Sequence, residues 1–237
     1  MLKELLKQNR SYRGFDESRK ITREELEDLV DCTRYTPSSV NMQPFKYYLA
    51  CEPETVAKIQ PLTKWARALP QMTLPHPGHC PTAFIVICQD TNLNPALQRF
   101  QKDVGIVAQT MLLAAVEKGL GGCMIGNYNP DEVKQALSLA DHLTPVLLVA
   151  LGKPDETIVL TEVGEDGSTD YYRDENVFHL WRIDPIWTCA ELSGGIRLVV
   201  PAQQKPECEY TLLCDCLLCR PICVRSCFCK RPPGLVR

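Results

Sequence analysis

The chain has 237 residues, enough to bury a sizeable core, and one main domain is expected at this length. Its 26 basic and 29 acidic residues provide no basic field for binding nucleic acid. No run of about 18 apolar residues occurs, so no membrane-spanning helix is expected. The first seven residues are too short and too charged for a signal peptide, and we expect a cytoplasmic protein.

A pair of arginines follows the first predicted helix. Residues 1–7 predict a short amphipathic helix, and the segment from Asn9 to Arg13 comes directly after it. Arg10 and Arg13, with Ser11 between them, can form charge-assisted hydrogen bonds to a phosphate. The alternative for both arginines is solvated surface charge, the commoner state of this side chain.

The next predicted helix leads into a turn-rich loop. It begins at a capping box, Thr22 with Glu25, and ends before the loop Pro37-Ser38-Ser39-Val40-Asn41-Met42-Gln43-Pro44. The amides of Asn41 and Gln43 each offer a donor and an acceptor, which can pair with a heteroaromatic edge. The serines and Asn41 could also simply form turns. Together with the arginines, this loop predicts a binding site for a flat, phosphorylated ligand.

Two strands and a long loop come next. Residues 46–51 and 83–88 predict strands, and the stretch 70–81, which contains Pro and His, predicts a loop or lid. No metal site is expected in this loop, because it supplies only three candidate ligands: His76, His79 and Cys80.

The remaining elements are arranged around one apolar helix. Residues 96–118 predict a helix that is apolar on nearly every side and buried in the middle of the fold, with Asp103 as a polar group near its start. A Gly-rich turn at 119–126, a helix begun by Asn129-Pro130 and a buried strand at 146–152 follow. The predicted class is α+β, with helices around a central mixed sheet.

Three of these motifs resemble, in order, the FMN-dependent nitroreductase family: the Arg-Ser-x-Arg segment, the Pro-Ser-x-x-Asn-x-Gln-Pro loop, and the central helix with its Gly-rich turn. The resemblance extends to about Asn176 and implies a nitroreductase-like fold with FMN as cofactor. No catalytic residue and no metal ligand is nominated. The residues that the resemblance assigns to FMN binding are Arg10, Ser11, Arg13, Pro37, Ser38, Ser39, Asn41, Gln43, Gly121, Gly122, Ile125 and Gly126.

The same resemblance implies an NAD(P)H-dependent oxidoreductase. NADH or NADPH would reduce the flavin, and a nitroaromatic, quinone or similar small acceptor would then take the electrons in a ping-pong mechanism. In the family, the arginine segment of one chain and the loop of its partner meet at one flavin, which implies a homodimer. The alternatives are a flavin-binding storage or sensing protein without turnover, and an enzyme of the same fold with other flavin chemistry.

The last quarter of the chain differs in character from the rest. Residues 1–176 have an excess of acids, whereas residues 177–237 have an excess of bases and contain eight of the 13 cysteines. The cysteine spacing does not match the ferredoxin pattern, which leaves zinc, disulfides or free thiols open. We predict a boundary after Asn176, and the favoured hypothesis is a tail not native to the family, such as the product of a shifted reading frame. A metal-binding module is the alternative.

Overall fold

Five α-helices and eight strands make up the part of the chain that the computed structural model describes, residues 1–165, 167–174 and 177–182. The helices are α1 (Leu2–Gln8), α2 (Arg23–Asp31), α3 (Pro53–Ile59), α4 (Gln101–Glu117) and α5 (Pro130–Ala136). The strands are β1 (Phe15–Asp16), β2 (Phe45–Ala50), β3 (Ala83–Asp90), β4 (Gly121–Ile125), β5 (Leu143–Pro154), β6 (Thr157–Glu162), β7 (Tyr172–Asp174) and β8 (Val177–Arg182). The predicted α+β class is confirmed. None of the described helices has the length and apolar character needed to cross a bilayer.

The larger sheet is organised around β5. This strand pairs antiparallel with β3, β4 and β1, and β3 pairs antiparallel with β2. Successive residues of a strand point to opposite faces, so Ile85 and Val149 pack with α2 and α4, whereas Phe84 and Leu148 pack with α3 and α5. Because both faces of the sheet are covered, the sequences of β3 and β5 are continuous apolar runs. The strands predicted at these two places are confirmed.

The predicted central helix is α4, and one side of it forms much of the core. Met111, Ala108 and Ala115 are fully buried against the sheet and α2. Ile106, on another side, is 36% exposed. The burial of this helix within a single chain is therefore one-sided, although its sequence is apolar nearly all round.

Local sequence signals are right at α2 and wrong at β4. The capping box is present, since the backbone N–H of Glu25 donates to Thr22 Oγ1 (3.3 Å) and that of Thr22 donates to Glu25 Oε2 (2.9 Å). The predicted Gly-rich turn is wrong for residues 121–125, which form β4. Glycine is needed at position 122 for packing, because an added Cβ would overlap the carbonyl oxygen of Ala150.

A second, three-stranded sheet follows β5. β8 pairs parallel with β6 and antiparallel with β7, and Phe178 of β8 is fully buried. The described fold therefore continues past the predicted boundary at Asn176, through Arg182. The predictions about the Cys-rich tail beyond Arg182 fall outside the described residues and stay predictions.

Replacing Gly122 with alanine should destabilise the protein by about 1–3 kcal/mol, because the new methyl group would meet the Ala150 carbonyl and the side chain of Leu112. Urea unfolding followed by circular dichroism measures the change. The matched control is Gly105→Ala on α4, where an added Cβ meets no heavy atom within 4 Å. Alanine there should be neutral or stabilising by up to about 1 kcal/mol, through helix propensity. An unchanged unfolding midpoint for Gly122→Ala would contradict the packing argument.

Candidate functional site

The arginine segment is held against β4 by backbone contacts. Ser11 forms a parallel bridge with Gly122, and the backbone N–H of Tyr12 donates to the Gly122 carbonyl (3.1 Å). Two residues separate Arg10 from Arg13, and the two guanidinium groups donate to different backbone carbonyls. The two arginines accordingly line different cavities. That these arginines bind a phosphate stays a prediction, and the structure places only Arg10 at the smaller cavity.

The smaller cavity, of about 250 Å³, lies beside Arg10. Ser11 lines it as well, and so does Arg182 at the end of β8. Burial, and then the nearby charge of Arg182, lower the pKa of Arg10. Its Nη2 donates to the Leu6 carbonyl, but its buried Nε has no hydrogen-bond partner among the described residues. Two like charges at one cavity repel each other, so this cavity suits an anionic group that can pair with both.

The larger cavity, of about 400 Å³, shares Met124 with the smaller one. It is bordered by β4 and the residues after it, by residues 64–67, and by the side chains of Arg13 and Tyr171. Beside Gly126 the space is open, since an added Cβ would meet no heavy atom within 4 Å. The full lining is Arg13, Lys64, Trp65, Ala66, Arg67, Cys123, Met124, Ile125, Gly126, Asn127 and Tyr171.

Buried contacts fix Arg13 at this cavity. Its backbone N–H donates to the carboxylate of Glu156, which pairs with Arg173 at 3.2 Å, and both paired side chains are almost fully buried, with exposed fractions of 0% and 2%. Burial raises the pKa of Glu156, against the opposing effects of the Arg13 N–H and the two positive charges. The guanidinium carbon of Arg13 lies 5.4 Å from the ring centroid of Tyr171 and 5.2 Å from that of Phe178. Arg13 is thus a positioned charge.

Asp103 anchors the loop that follows α2. It is 3% exposed and accepts hydrogen bonds from Ser38 Oγ (2.9 Å), the Ser39 backbone N–H (2.6 Å) and Ser39 Oγ (2.7 Å). Burial by itself would raise the pKa of Asp103, but these three donors together lower it. The interpretation of Asp103 as an end-of-helix polar group is therefore incomplete, since it is the loop's main support.

The anchored loop has an unusual backbone. Val40, Asn41 and Gln43 all have positive φ, at 50°, 53° and 48°, which is rare outside glycine and a genuine outlier for a β-branched residue. Each such residue costs on the order of 1–3 kcal/mol, so neighbouring contacts must hold the conformation. The backbone N–H of Gln43 donates to Ser38 Oγ (3.0 Å), and its side chain donates to Asn41 Oδ1 (3.0 Å).

The structure separates the sequence-predicted site residues into four groups. Arg10 and Ser11 line the smaller cavity, and Arg13, Ile125 and Gly126 line the larger one. Two glycines support the arginine segment without lining either cavity: Gly122 as its bridge partner, and Gly121 beneath Tyr12. The loop residues Pro37, Ser38, Ser39, Asn41 and Gln43 line neither cavity within the described chain.

Several cavity residues carry no signal in the sequence. Arg182 belongs to the stretch set aside as a tail, and Lys64 and Arg67 precede the predicted loop or lid. Residues 63–82 indeed contain no helix or strand, which agrees with the loop prediction. Two cations beside an aromatic residue, Trp65, form a pattern that binding sites can show. Solvated lysine and arginine on a protein surface give the same pattern, so it does not identify a site.

The His-containing loop shows no metal cluster. Within the described ranges, no group of three or more His, Cys, Asp or Glu side chains is arranged to hold a metal ion. His79 instead contacts Asp155 through Nδ1 at 2.9 Å, on the surface.

The structure is an α+β fold with two adjoining cavities, and arginine side chains line both of them. The model of the nitroreductase family matches residues 6–153, and the chain belongs to that family. Membership places it among the oxidoreductases and confirms the nitroreductase-like fold.

Known relatives agree with this assignment. A Methanothermobacter thermautotrophicus protein, provisionally named an NADH dehydrogenase/NAD(P)H nitroreductase, is 26% identical over 157 residues, which cover 65% of this chain and 77% of that protein. An FMN reductase (NADPH) of Bacillus subtilis is 26% identical over 171 residues, covering 64% and 65%. The crystal structure of a nitroreductase family protein from Clostridium difficile 630 superposes with a TM-score of 0.52 at 26% identity, covering 65% and 84%.

Substituting Asp103 with asparagine should lower the free energy of unfolding by about 1–3 kcal/mol at pH 7, because hydrogen bonds to a carboxylate are stronger than those to an amide. A carboxyl whose folded pKa is depressed contributes stability above its unfolded pKa, about 3.9, and loses it as the pH falls through the folded value. The difference between wild type and Asp103→Asn should therefore shrink as the pH is lowered from about 6 to about 3.

Chemical unfolding at several pH values measures this. Asp31→Asn is the control, since Asp31 pairs only with exposed Arg34 and should change stability by less than about 0.5 kcal/mol. A difference for Asp103→Asn that stays constant down to pH 3 would show that Asp103 is not the supporting carboxylate.

Proposed function

We propose that the protein is an FMN-dependent oxidoreductase that uses NADH or NADPH to reduce a nitroaromatic, quinone or similar small acceptor. The observation that carries the proposal is the pair of adjoining cavities: one with two arginines and an unpartnered buried Nε, the other bordered by open backbone at Gly126. FMN has a matching division into a phosphate and a flat ring. The names of relatives, an FMN reductase (NADPH) and an NAD(P)H nitroreductase, support the same activity.

The residues fit FMN at its anionic end. Arg10 and Arg182 would pair with the phosphate, and the unpartnered Nε of Arg10 offers a donor that no described residue uses. Ser11 adds a hydroxyl at the same cavity.

The residues also fit at the ring end. Arg13, held by Glu156 and stacked near Tyr171, would supply a fixed positive charge beside the ring, which favours an electron-rich state of it. Ile125 and Gly126 would present backbone to the ring face. When bound, FMN supplies the redox chemistry itself, accepting two electrons with a hydride and passing them on. No described residue needs to act as a general acid.

The anchored loop would complete the site of a second copy. In one chain its residues Ser39 and Asn41 are exposed and lie outside both cavities. Strained backbone concentrates at functional sites, and the three positive φ values are the observation that points to such a role here. We therefore keep the homodimer, with the loop of the partner reaching the ring, as part of the proposal.

Arg10→Ala should weaken FMN binding by about 2–3 kcal/mol and Arg182→Ala by about 1–2 kcal/mol, through loss of charge-assisted bonds to the phosphate. Quenching of FMN fluorescence on titration with apoprotein gives the affinity. Arg34→Ala, an exposed arginine paired with Asp31, is the control and should bind FMN as the wild type does. Equal affinity for all three variants and the wild type would exclude this phosphate site.

Turnover separates the enzyme from a flavin-storage or sensing protein. The proposed enzyme should oxidise NAD(P)H steadily in the presence of a quinone or nitrofuran, in proportion to bound FMN. Because donor and acceptor would use the same space in turn, double-reciprocal plots at several acceptor concentrations should be parallel. Bound FMN without turnover would favour storage or sensing, and intersecting lines would mean that both substrates bind together.

A further inference from the structure

Two cationic side chains line the larger cavity and form no ion pair within the described part of the chain. Lys64 and Arg67 both line it and are exposed, and within the described ranges neither side chain forms an ion pair. None of the described residues lining the cavity is Asp or Glu. Arg13 at the same cavity differs, because buried Glu156 lies against it. The charge of Lys64 and Arg67 is therefore available to whatever enters.

The turn that carries the two cations is held in place. The backbone N–H of Lys64 donates to the Asn127 carbonyl (3.0 Å), next to the bridge between Thr63 and Tyr128. Trp65 Nε1 donates to Thr63 Oγ1 at 2.8 Å. These contacts tie the turn to the chain that follows β4, so it has a defined place at the cavity.

The backbone is unusual between the two cations, and the chain then turns at residues 67 and 68 and enters a small core. Ala66 has φ 44°, an uncommon value for a residue with a side chain. Trp65 and Ala66 pack against the cluster of Leu69, Leu74 and Phe178. Ala66 lies between Lys64 and Arg67, and the side chains of both cations line the same cavity.

We propose that Lys64 and Arg67 form an anion-binding rim that selects substrates bearing a negatively charged group for the larger cavity. This inference rests on the proposed function and adds to it a class of substrate. FMN would leave the rim unsatisfied, because its phosphate pairs with Arg10 and Arg182 in the other cavity. The anionic group has two sources: the phosphates of the nicotinamide dinucleotide, or a carboxylate on the electron acceptor.

Matched charged and neutral substrates test the rim. NADH is compared with the uncharged donor 1-benzyl-1,4-dihydronicotinamide, and 4-nitrobenzoate is compared with 4-nitrobenzamide, which has nearly the same shape. The variant is Lys64→Gln/Arg67→Gln. The control is Lys20→Gln/Lys58→Gln, which removes two exposed charges that line neither cavity. Stopped-flow measurement of flavin reduction and reoxidation reports the donor and the acceptor separately.

The rim predicts a charge-selective loss. In the rim variant, the second-order rate constant for at least one anionic substrate should fall about 5- to 20-fold, while its neutral counterpart changes less than about twofold. A loss with NADH assigns the rim to the dinucleotide phosphates, and a loss with 4-nitrobenzoate assigns it to a carboxylated acceptor. The affected wild-type rate should also fall with added salt. Equal changes for charged and neutral members of both pairs would overturn the proposal.

Equilibrium binding keeps the rim testable if no turnover is found. Wild-type protein that fails to react even with the neutral pair would contradict the proposed function and leave the rim to be judged by binding alone. Calorimetric titration of the purified protein with 4-nitrobenzoate, 4-nitrobenzamide and NADH is then repeated for the rim and control variants. Tighter wild-type binding of an anion, lost only in the rim variant, supports the rim. Binding that is indifferent to the two substitutions overturns it.

Discussion

The close approach of the Asn9–Arg13 segment to β4 is the contact on which the site depends. It requires glycine at position 121, where an added Cβ would lie 2.6 Å from the ring of Tyr12. With the backbone fixed there by Ser11 and Tyr12, Arg10 and Arg13 line different cavities. One backbone contact thus sets two cavities of different chemistry side by side, one at each arginine.

The sequence predicts what depends on local pattern. The capping box at Thr22 and the buried strands β3 and β5 follow from residue spacing, and the structure has them. β4 was missed because its glycines lower strand propensity, and only long-range contacts explain them, with Tyr12 at Gly121 and with Ala150 at Gly122. Arg182 was missed for a related reason: its place at the smaller cavity comes from pairing between β8 and β6, strands about 20 residues apart in sequence. Such long-range partners leave no periodic signal.

The anchored loop shows how stability and strain are balanced near the site. Three residues with positive φ would make this loop unfavourable by itself, and the carboxylate of Asp103 offsets the cost with three hydrogen bonds. Asp103 sits in the first turn of α4, so the loop is fixed to the most buried helix of the fold. Its conformation is therefore set before any ligand arrives. A pre-set loop loses less entropy on binding than a flexible one, whichever chain provides the ligand's other contacts.

The larger cavity has one positively charged side chain that is fixed in place and two that are exposed. This difference suits them to different kinds of ligand. The backbone N–H of Arg13 donates to buried Glu156, and its guanidinium group lies over Phe178, so its position is fixed. A charge fixed in this way suits a ligand that stays bound through many cycles. Lys64 and Arg67 are exposed and free of internal ion pairs within the described ranges, so pairing with an anion there costs little to reverse. Weak, reversible pairing suits substrates that must enter and leave in turn, which is what successive use of one space by a donor and an acceptor demands.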